Sequence, residues 1–311
     1  MPVTQKASFL LRLYQYQAER FPVLGHGLLI VVFSFSAIAY SRLCRGLSDF
    51  VPAERYWVCV FNTFTIFLLL RISDEHKDQE DDARYRAYLP VPRGLISLAE
   101  LRWVAYVVIA AQILINAFLY PRMLPLYAIV MLFLGVMARE FFVRNWLKKH
   151  LFWYVVSHMF IIPLVDVFAS GFDWLLDGAV APVGLLFFFL TSYCNGVVLE
   201  IGRKIRPPDY EEPGVQSYTY ILGTRRAVYI WQMILFITGV CAALAALYAG
   251  HSGWTFAVLG GLFVLCMTPS LLFLRHHSRL RAKWVEYASA LWTIGMYLTL
   301  GGIPMLTHLI T

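Results

Sequence analysis

Nine stretches of this chain are apolar over about 17–25 residues, the length an α-helix needs to cross a hydrocarbon core. They lie near Phe21–Tyr40, Tyr56–Ile72, Trp103–Tyr120, Met123–Ala138, Leu151–Ser170, Ala179–Ile201, Ala227–Ala249, Trp254–Leu274 and Trp284–Thr307. A backbone in lipid must satisfy its own hydrogen bonds, so runs of this kind commit the chain to helices. The expected fold class is an all-α polytopic membrane protein with nine transmembrane helices, forming one membrane domain over residues 21–311. Hydrophobic residues make up 59% of the chain and charged residues 14%, outside the usual range of a soluble domain.

The charges then orient the spans. If the N-terminus is cytoplasmic, the inner segments hold all but four of the 26 basic residues. Arg42, Arg45, Arg55 and Arg122 fall outside. This asymmetry predicts an inner N-terminus and an outer C-terminus. It also accounts for the net charge of +7 without any nucleic-acid partner. The five cysteines are scattered, with no paired spacing, and read as small buried residues rather than a disulfide framework or a zinc site. Residues 1–20 are polar and mixed, unlike a removable signal peptide. With Leu10, Leu11, Leu13 and Tyr14 among polar neighbours, they predict a short amphipathic helix on the inner surface.

Two inner connections, 74–101 and 202–226, carry most of the clustered charge. The first begins with Asp74-Glu-His-Lys-Asp78-Gln-Glu-Asp-Asp82, six carboxylates in nine residues. Asp74, Asp78 and Asp82 recur every four residues, so a continuing helix stacks them on one face. Stacked carboxylates call for cations between them, either solvent and salt on a solvated face or a divalent metal carrying a phosphorylated substrate. Pro90, Pro92 and Gly94 then make a turn before the next span. The second connection starts at the membrane edge with Glu200, Arg203 and Lys204 on one helical face. An acid there is costly unless paired or functional. Self-pairing of Glu200 with Lys204 is the simpler of the two accounts. Asp209, Glu211 and Glu212 follow Pro207-Pro208. Two facing acidic clusters with interspersed Arg and Lys are the arrangement needed to hold a diphosphate through Mg²⁺.

These motifs resemble those of the UbiA superfamily of intramembrane prenyltransferases. That family has nine membrane helices and two cytoplasmic acidic motifs, NDxxDxxxD and DxxxD. Asp74-Glu75-x-x-Asp78-x-x-x-Asp82 stands where the first belongs, with Asp74 in the Asn position and Glu75 in that of the following Asp. Leu89-Pro-Val-Pro-Arg-Gly-Leu-Ile-Ser is similar to the family's RPLPSGxIS turn, and Gly214-x-x-Ser217 with Gly223 to its GxxST…LG stretch. Glu200-x-x-x-Lys204 stands where DxxxD is expected, a departure from the pattern.

The resemblance implies an active site at the cytoplasmic side. Asp74, Asp78, Asp82, Glu200 and Asp209 would coordinate Mg²⁺ on an isoprenyl diphosphate drawn from the surrounding bilayer. Arg71, Lys77, Arg203 and Lys204 would neutralise the leaving diphosphate, with Asp78 and Lys204 closest to the chemistry. Electron-rich walls for the allylic cation would come from Phe187, Phe188, Phe189, Tyr193 and Tyr220, residue types that equally serve helix packing. The expected function is prenyl transfer to an acceptor. The alternatives are a membrane terpene cyclase of the same superfamily, in which the substrate's own double bond attacks the cation, and a divalent-cation transporter.

Overall fold

The computed structural model describes residues 7–211 and 217–307. Among them, nine helices are long and apolar enough to cross a membrane, each close to a stretch expected from the sequence. Ahead of the first span lies α1 (Phe9–Arg20), and the spans begin with α2 (Val23–Cys44) and α3 (Ala53–Lys77). A short α4 (Gln79–Tyr85) precedes α5 (Leu98–Leu119), and α6 (Leu124–Ala138) follows after a 3₁₀ turn. α7 (Arg144–Lys149) leads into a fifth span made of α8 (Leu151–Met159) and α9 (Ile161–Gly171), which part at Phe160 three residues before Pro163. The sixth span is α10 (Leu185–Gly202), shorter at its start than expected because Pro182 and Gly184 hold the chain in a turn. After α11 (Tyr218–Leu222) come α12 (Thr224–Tyr248), α13 (Gly253–Arg275) and α14 (Arg279–Tyr297). The last span continues through a π-helical turn, Leu298–Gly302, into α15 (Ile303–Thr307).

α10 is the most enclosed span, packed against α12, α14, α9 and α2. Its C-terminal end fits because residue 202 is glycine: a Cβ there would overlap Ser289 Oγ and press on Trp231 Nε1. Trp231 Nε1 instead donates to Val198 O at 3.1 Å and to Ser289 Oγ at 3.0 Å. This three-helix contact fixes the turn that carries Glu200.

Three ion pairs and a small core hold α1 against the first inner connection. Arg12 meets Glu100, Arg20 meets Glu75 and Arg93 meets Glu19, each at 2.6 Å. Tyr16 is buried with Ile72, Ile96 and Leu101. Ser97 and Glu100 cap the start of α5 reciprocally. At the opposite end of the bundle, Asp173 accepts from Ser41 (2.7 Å), Arg42 (2.9 Å) and Arg45 (2.7 Å), and Asp177 accepts from Arg55 at 2.7 Å. Three of the four basic residues expected outside therefore close on carboxylates there.

Candidate active site

α3 carries its last turn out of the apolar core and leaves helical geometry at Asp78 (φ −95°, ψ 8°). The hydrogen-bond register survives the break. Asp78 N–H donates to Asp74 O at 2.9 Å and Asp82 N–H to Asp78 O at 2.8 Å. Asp74, Asp78 and Asp82 thus keep the four-residue spacing expected of them, but their environments diverge. Asp74 is 36% exposed, 3.3 Å from Lys77 Nζ and 3.8 Å from Arg71 Nη1. Asp78 has no ion-pair partner among the described residues. Burial pushes its carboxyl up, Lys77 pulls the other way and Asp74 adds to the rise. Asp82 is buried and ion-paired to Arg86 one turn on. Its carboxyl is also raised by burial, against the pull of Arg86. Glu75, in the family's acid position, is buried and held by Arg20 of α1.

Lys77 lies inside the acidic cluster with its side chain 9% exposed. Its Nζ is 3.3 Å from Asp74 and 3.6 Å from Glu140, and donates to Tyr154 Oη at 3.2 Å. It compensates carboxylates rather than standing open to a diphosphate. Glu140 reaches it from a turn in which Glu140, Phe141 and Phe142 have φ of 50°, 51° and 60°. Non-glycine residues adopt this left-handed region at a cost of about 1–2 kcal/mol each. Glu140 also lies 3.1 Å from His158 Nε2. Burial alone would raise the Glu140 carboxyl, but His158 and Lys77 outweigh it and hold the group below the usual range. The same segment clamps the acidic run twice more, with Arg144 donating to Lys77 O at 3.0 Å and Lys148 3.0 Å from Asp81. Sequence reasoning missed Glu140, Tyr154 and His158. A signal for the first was present: it is the one acid between Glu100 and Asp166, and it adjoins a basic run.

The second cluster forms at the end of α10. Glu200 is buried, ion-paired to Arg203 and 2.6 Å from Lys204 Nζ, so it is engaged by its own helix as the simpler account expects. Tyr218 Oη donates to it at 3.4 Å, and Lys204 lies 5.7 Å from the centre of the Tyr218 ring. Asp209 is exposed on a 3₁₀ turn after Pro207. Glu211 turns inward to accept from Ser217 and Thr219 at 2.7 Å. Glu212 and Gly214 lie outside the described residues.

The two clusters converge electrostatically. Arg203, 51% exposed, is held protonated against the effect of burial by Glu200 and then by Asp74 of the first cluster. Arg71 and Arg203 both lie near His26 of α2, and Tyr154 of the first cluster lies near Tyr218 of the second. One end of the bundle thus brings together Arg71, Asp74, Asp78, Arg203 and Lys204. Asp82 and Asp209 stand apart from them, one locked and one facing out.

Among the described residues, no three His, Cys, Asp or Glu side chains converge tightly enough to cage a metal ion. Mg²⁺ shared with phosphates needs only one or two carboxylates. Asp74 and Asp78 meet that requirement, the first half exposed and the second without an ion-pair partner. The expected aromatic wall is dispersed. Phe188 is buried between Tyr40 and Tyr297, with ring centres at 4.9 and 5.8 Å. Phe187 packs on Tyr248, Phe189 is partly buried in the packing, and Tyr193 donates to Val156 O at 3.3 Å. Tyr220 is 70% exposed.

No family model and no curated protein matches the chain in sequence. Among solved structures it is similar to one from work on digeranylgeranylglyceryl phosphate synthase in membranes, with a TM-score of 0.63 and 16% identity. The match covers 94% of this chain and 99% of the other. The helical membrane fold that the UbiA resemblance implied is therefore one this chain, with nine candidate spans among its described residues, shares over 94% of its length with that solved structure.

Proposed function

We infer that this protein is a Mg²⁺-dependent intramembrane prenyltransferase, which ionises an isoprenyl diphosphate at the inner face of the membrane and passes the prenyl group to an acceptor. The observation that carries the reading is the convergence of Asp74 and Asp78 with Arg203 and Lys204, on a fold shared along its length with a membrane synthase. Isoprenyl transfer comes to this chain from that likeness and from the motif resemblance.

In this reading Asp74 and Asp78 hold the metal. When bound, Mg²⁺ supplies positive charge to the diphosphate as the allylic carbon–oxygen bond breaks. Arg71, Arg203 and Lys204 complement the same growing charge from the cleft walls. Glu200 fixes Arg203 and Lys204 in place, and Lys77, anchored by Glu140 and Tyr154, keeps the first acidic cluster from repelling itself. Asp82 orders α4 through Arg86 instead of ligating metal. This reading gives Asp209, exposed on its turn, no metal role.

The test is diphosphate release from farnesyl and geranylgeranyl diphosphate by the purified protein in detergent, with Mg²⁺ or EDTA. Organic extracts are analysed by mass spectrometry. Release that requires both Mg²⁺ and added membrane lipid or quinone precursors is the expected result. A cyclic hydrocarbon or alcohol formed with no acceptor would replace transfer by cyclisation, and no release under any condition would overturn the diphosphate reading.

A further inference from the structure

One acid lies outside this site. Asp166 is on α9 within the fifth span, with none of its surface exposed. Among the described residues neither of its carboxylate oxygens has a hydrogen-bond partner, and no cation pairs with it. The same orphaned state holds for Ser192 Oγ and for both amide atoms of Asn195 on α10, two more residues with no exposed surface. Asp166 lies within reach of Ser192, and the Tyr297 phenol at the end of α14 within reach of Ser192 and Asn195, close enough to interact but short of hydrogen-bond geometry. Four polar side chains from three spans therefore converge on one place. Phe33 and Phe188 flank it, their ring centres 5.3 and 5.8 Å from that of Tyr297.

Buried polar atoms are almost always paired, by protein, water or ligand. The orphaned atoms restrict what the partner is. The Asp166 carbonyl oxygen and Asn195 Oδ1 call for a donor, the Asp166 hydroxyl and Asn195 Nδ2 call for an acceptor, and Ser192 takes either. A metal ion cannot satisfy the amide N–H, and a hydrocarbon chain satisfies none of them. A hydroxyl group both donates and accepts. Asn195 also lies five residues ahead of Glu200 on α10, about 7.5 Å along the helix axis into the bundle. The place is therefore distinct from the charged cleft.

We propose that Asp166, Ser192, Asn195 and Tyr297 form an intramembrane subsite that binds a neutral hydroxyl group, carried by a membrane-soluble alcohol or supplied by water. The proposal goes beyond the prenyl-transfer reading and stands on geometry that reading does not use. The test is equilibrium binding of radiolabelled geranylgeraniol to the protein in nanodiscs, compared with the hydrocarbon of the same chain lacking the hydroxyl. The alcohol is expected to bind at least about tenfold more tightly, the factor that about 1.4 kcal/mol of hydrogen bonding supplies. Asp166→Asn, which still hydrogen-bonds, keeps the preference within about threefold, and Asp166→Leu abolishes it. Should Asp166→Leu fail to fold, Ser192→Ala carries the test with a loss of at least about threefold.

A carboxyl buried with no cation beside it is neutral, and its infrared carbonyl stretch, identified by its loss in Asp166→Asn, separates the two sources. A hydrogen-bonded frequency without alcohol that persists in Ser192→Ala, with no preference for the alcohol, assigns the hydroxyl to water. Equal affinity for alcohol and hydrocarbon, together with a carbonyl frequency that is free in the wild type or becomes free in Ser192→Ala, would overturn the proposal. Neither readout involves diphosphate turnover, so failure here and failure of the prenyl-transfer reading are told apart.

Discussion

Replacing Asp78 with Asn is expected to abolish turnover while leaving the fold intact, and the structure says why both should hold. Asp78 sits where α3 breaks, partly buried and without an ion-pair partner among the described residues. Its substitution therefore leaves no opposite charge stranded. Its carboxyl is raised by burial, so in the interval above the unfolded value of about 3.9 the folded state binds more protons than the unfolded one. Stability from this group is lost as pH rises through that interval. The neutral Asn carries no such loss, and Asp78→Asn should match or slightly exceed the wild type at pH 7, within about 0.5 kcal/mol. Activity behaves oppositely. Loss of one preorganised electrostatic contact with a developing charge typically costs about 2.7–4 kcal/mol, or about 10²–10³ in kcat. The measurements are thermal unfolding in detergent and Mg²⁺-dependent diphosphate release. Turnover above about one tenth of wild type, or a clear drop in unfolding temperature, would refute the reasoning.

Asp82→Asn removes the partner of Arg86 from a buried position and should lower the unfolding temperature clearly more than Asp78→Asn does, in the same assay. Glu140→Ala strands Lys77 and His158 and should destabilise by about 3–5 kcal/mol, with Glu140→Gln costing less; equal stability of Glu140→Ala and wild type in denaturant titrations would contradict the network. Asp173→Ala opens the clasp around Arg42 and Arg45 and should also cost about 3–5 kcal/mol, yet the protein that remains folded keeps wild-type kcat. In pH profiles of diphosphate release, the acidic limb should lie above the ordinary aspartate value of about 3.9, because burial raises Asp78 and its charged form is the one that holds metal.

The span count was legible because lipid demands a length and a composition, and both are visible in one dimension. Where spans break was less so. Pro182 and Gly184 shorten the sixth span by local chemistry, whereas the π-helical turn after Tyr297 accompanies a close approach of Gly301 to the Ser36 backbone, a tertiary fact. The acidic run announced itself by its four-residue spacing, and that spacing survived the break at Asp78. Which of its carboxylates are engaged did not follow, since Arg86 and Arg20 choose Asp82 and Glu75 through packing. Lys77 shows the limit of reading by charge. A lysine beside carboxylates looks like a phosphate ligand until Glu140 arrives from 63 positions away and takes it into the cluster.

The two ends of the bundle carry similar charges and use them differently. At one end Arg42, Arg45 and Arg55 close on Asp49, Asp173 and Asp177, and the buried Asp173 accepts three hydrogen bonds. Such a set of mutual partners fastens the loops after α2 and α9. At the other end the pairing is incomplete. Asp78 has no ion pair among the described residues, Arg71 reaches Asp74 only at 3.8 Å, and the half-exposed Arg203 divides its influence between Glu200 and Asp74. A site that binds a multivalent anion with a divalent cation must hold both signs of charge short of mutual satisfaction, because fully paired groups would have to be broken apart before binding. By that criterion the proposed chemistry belongs at the end where α3 and α10 terminate, and the clasp at the far end ties the start of α3 to the loops after α2 and α9.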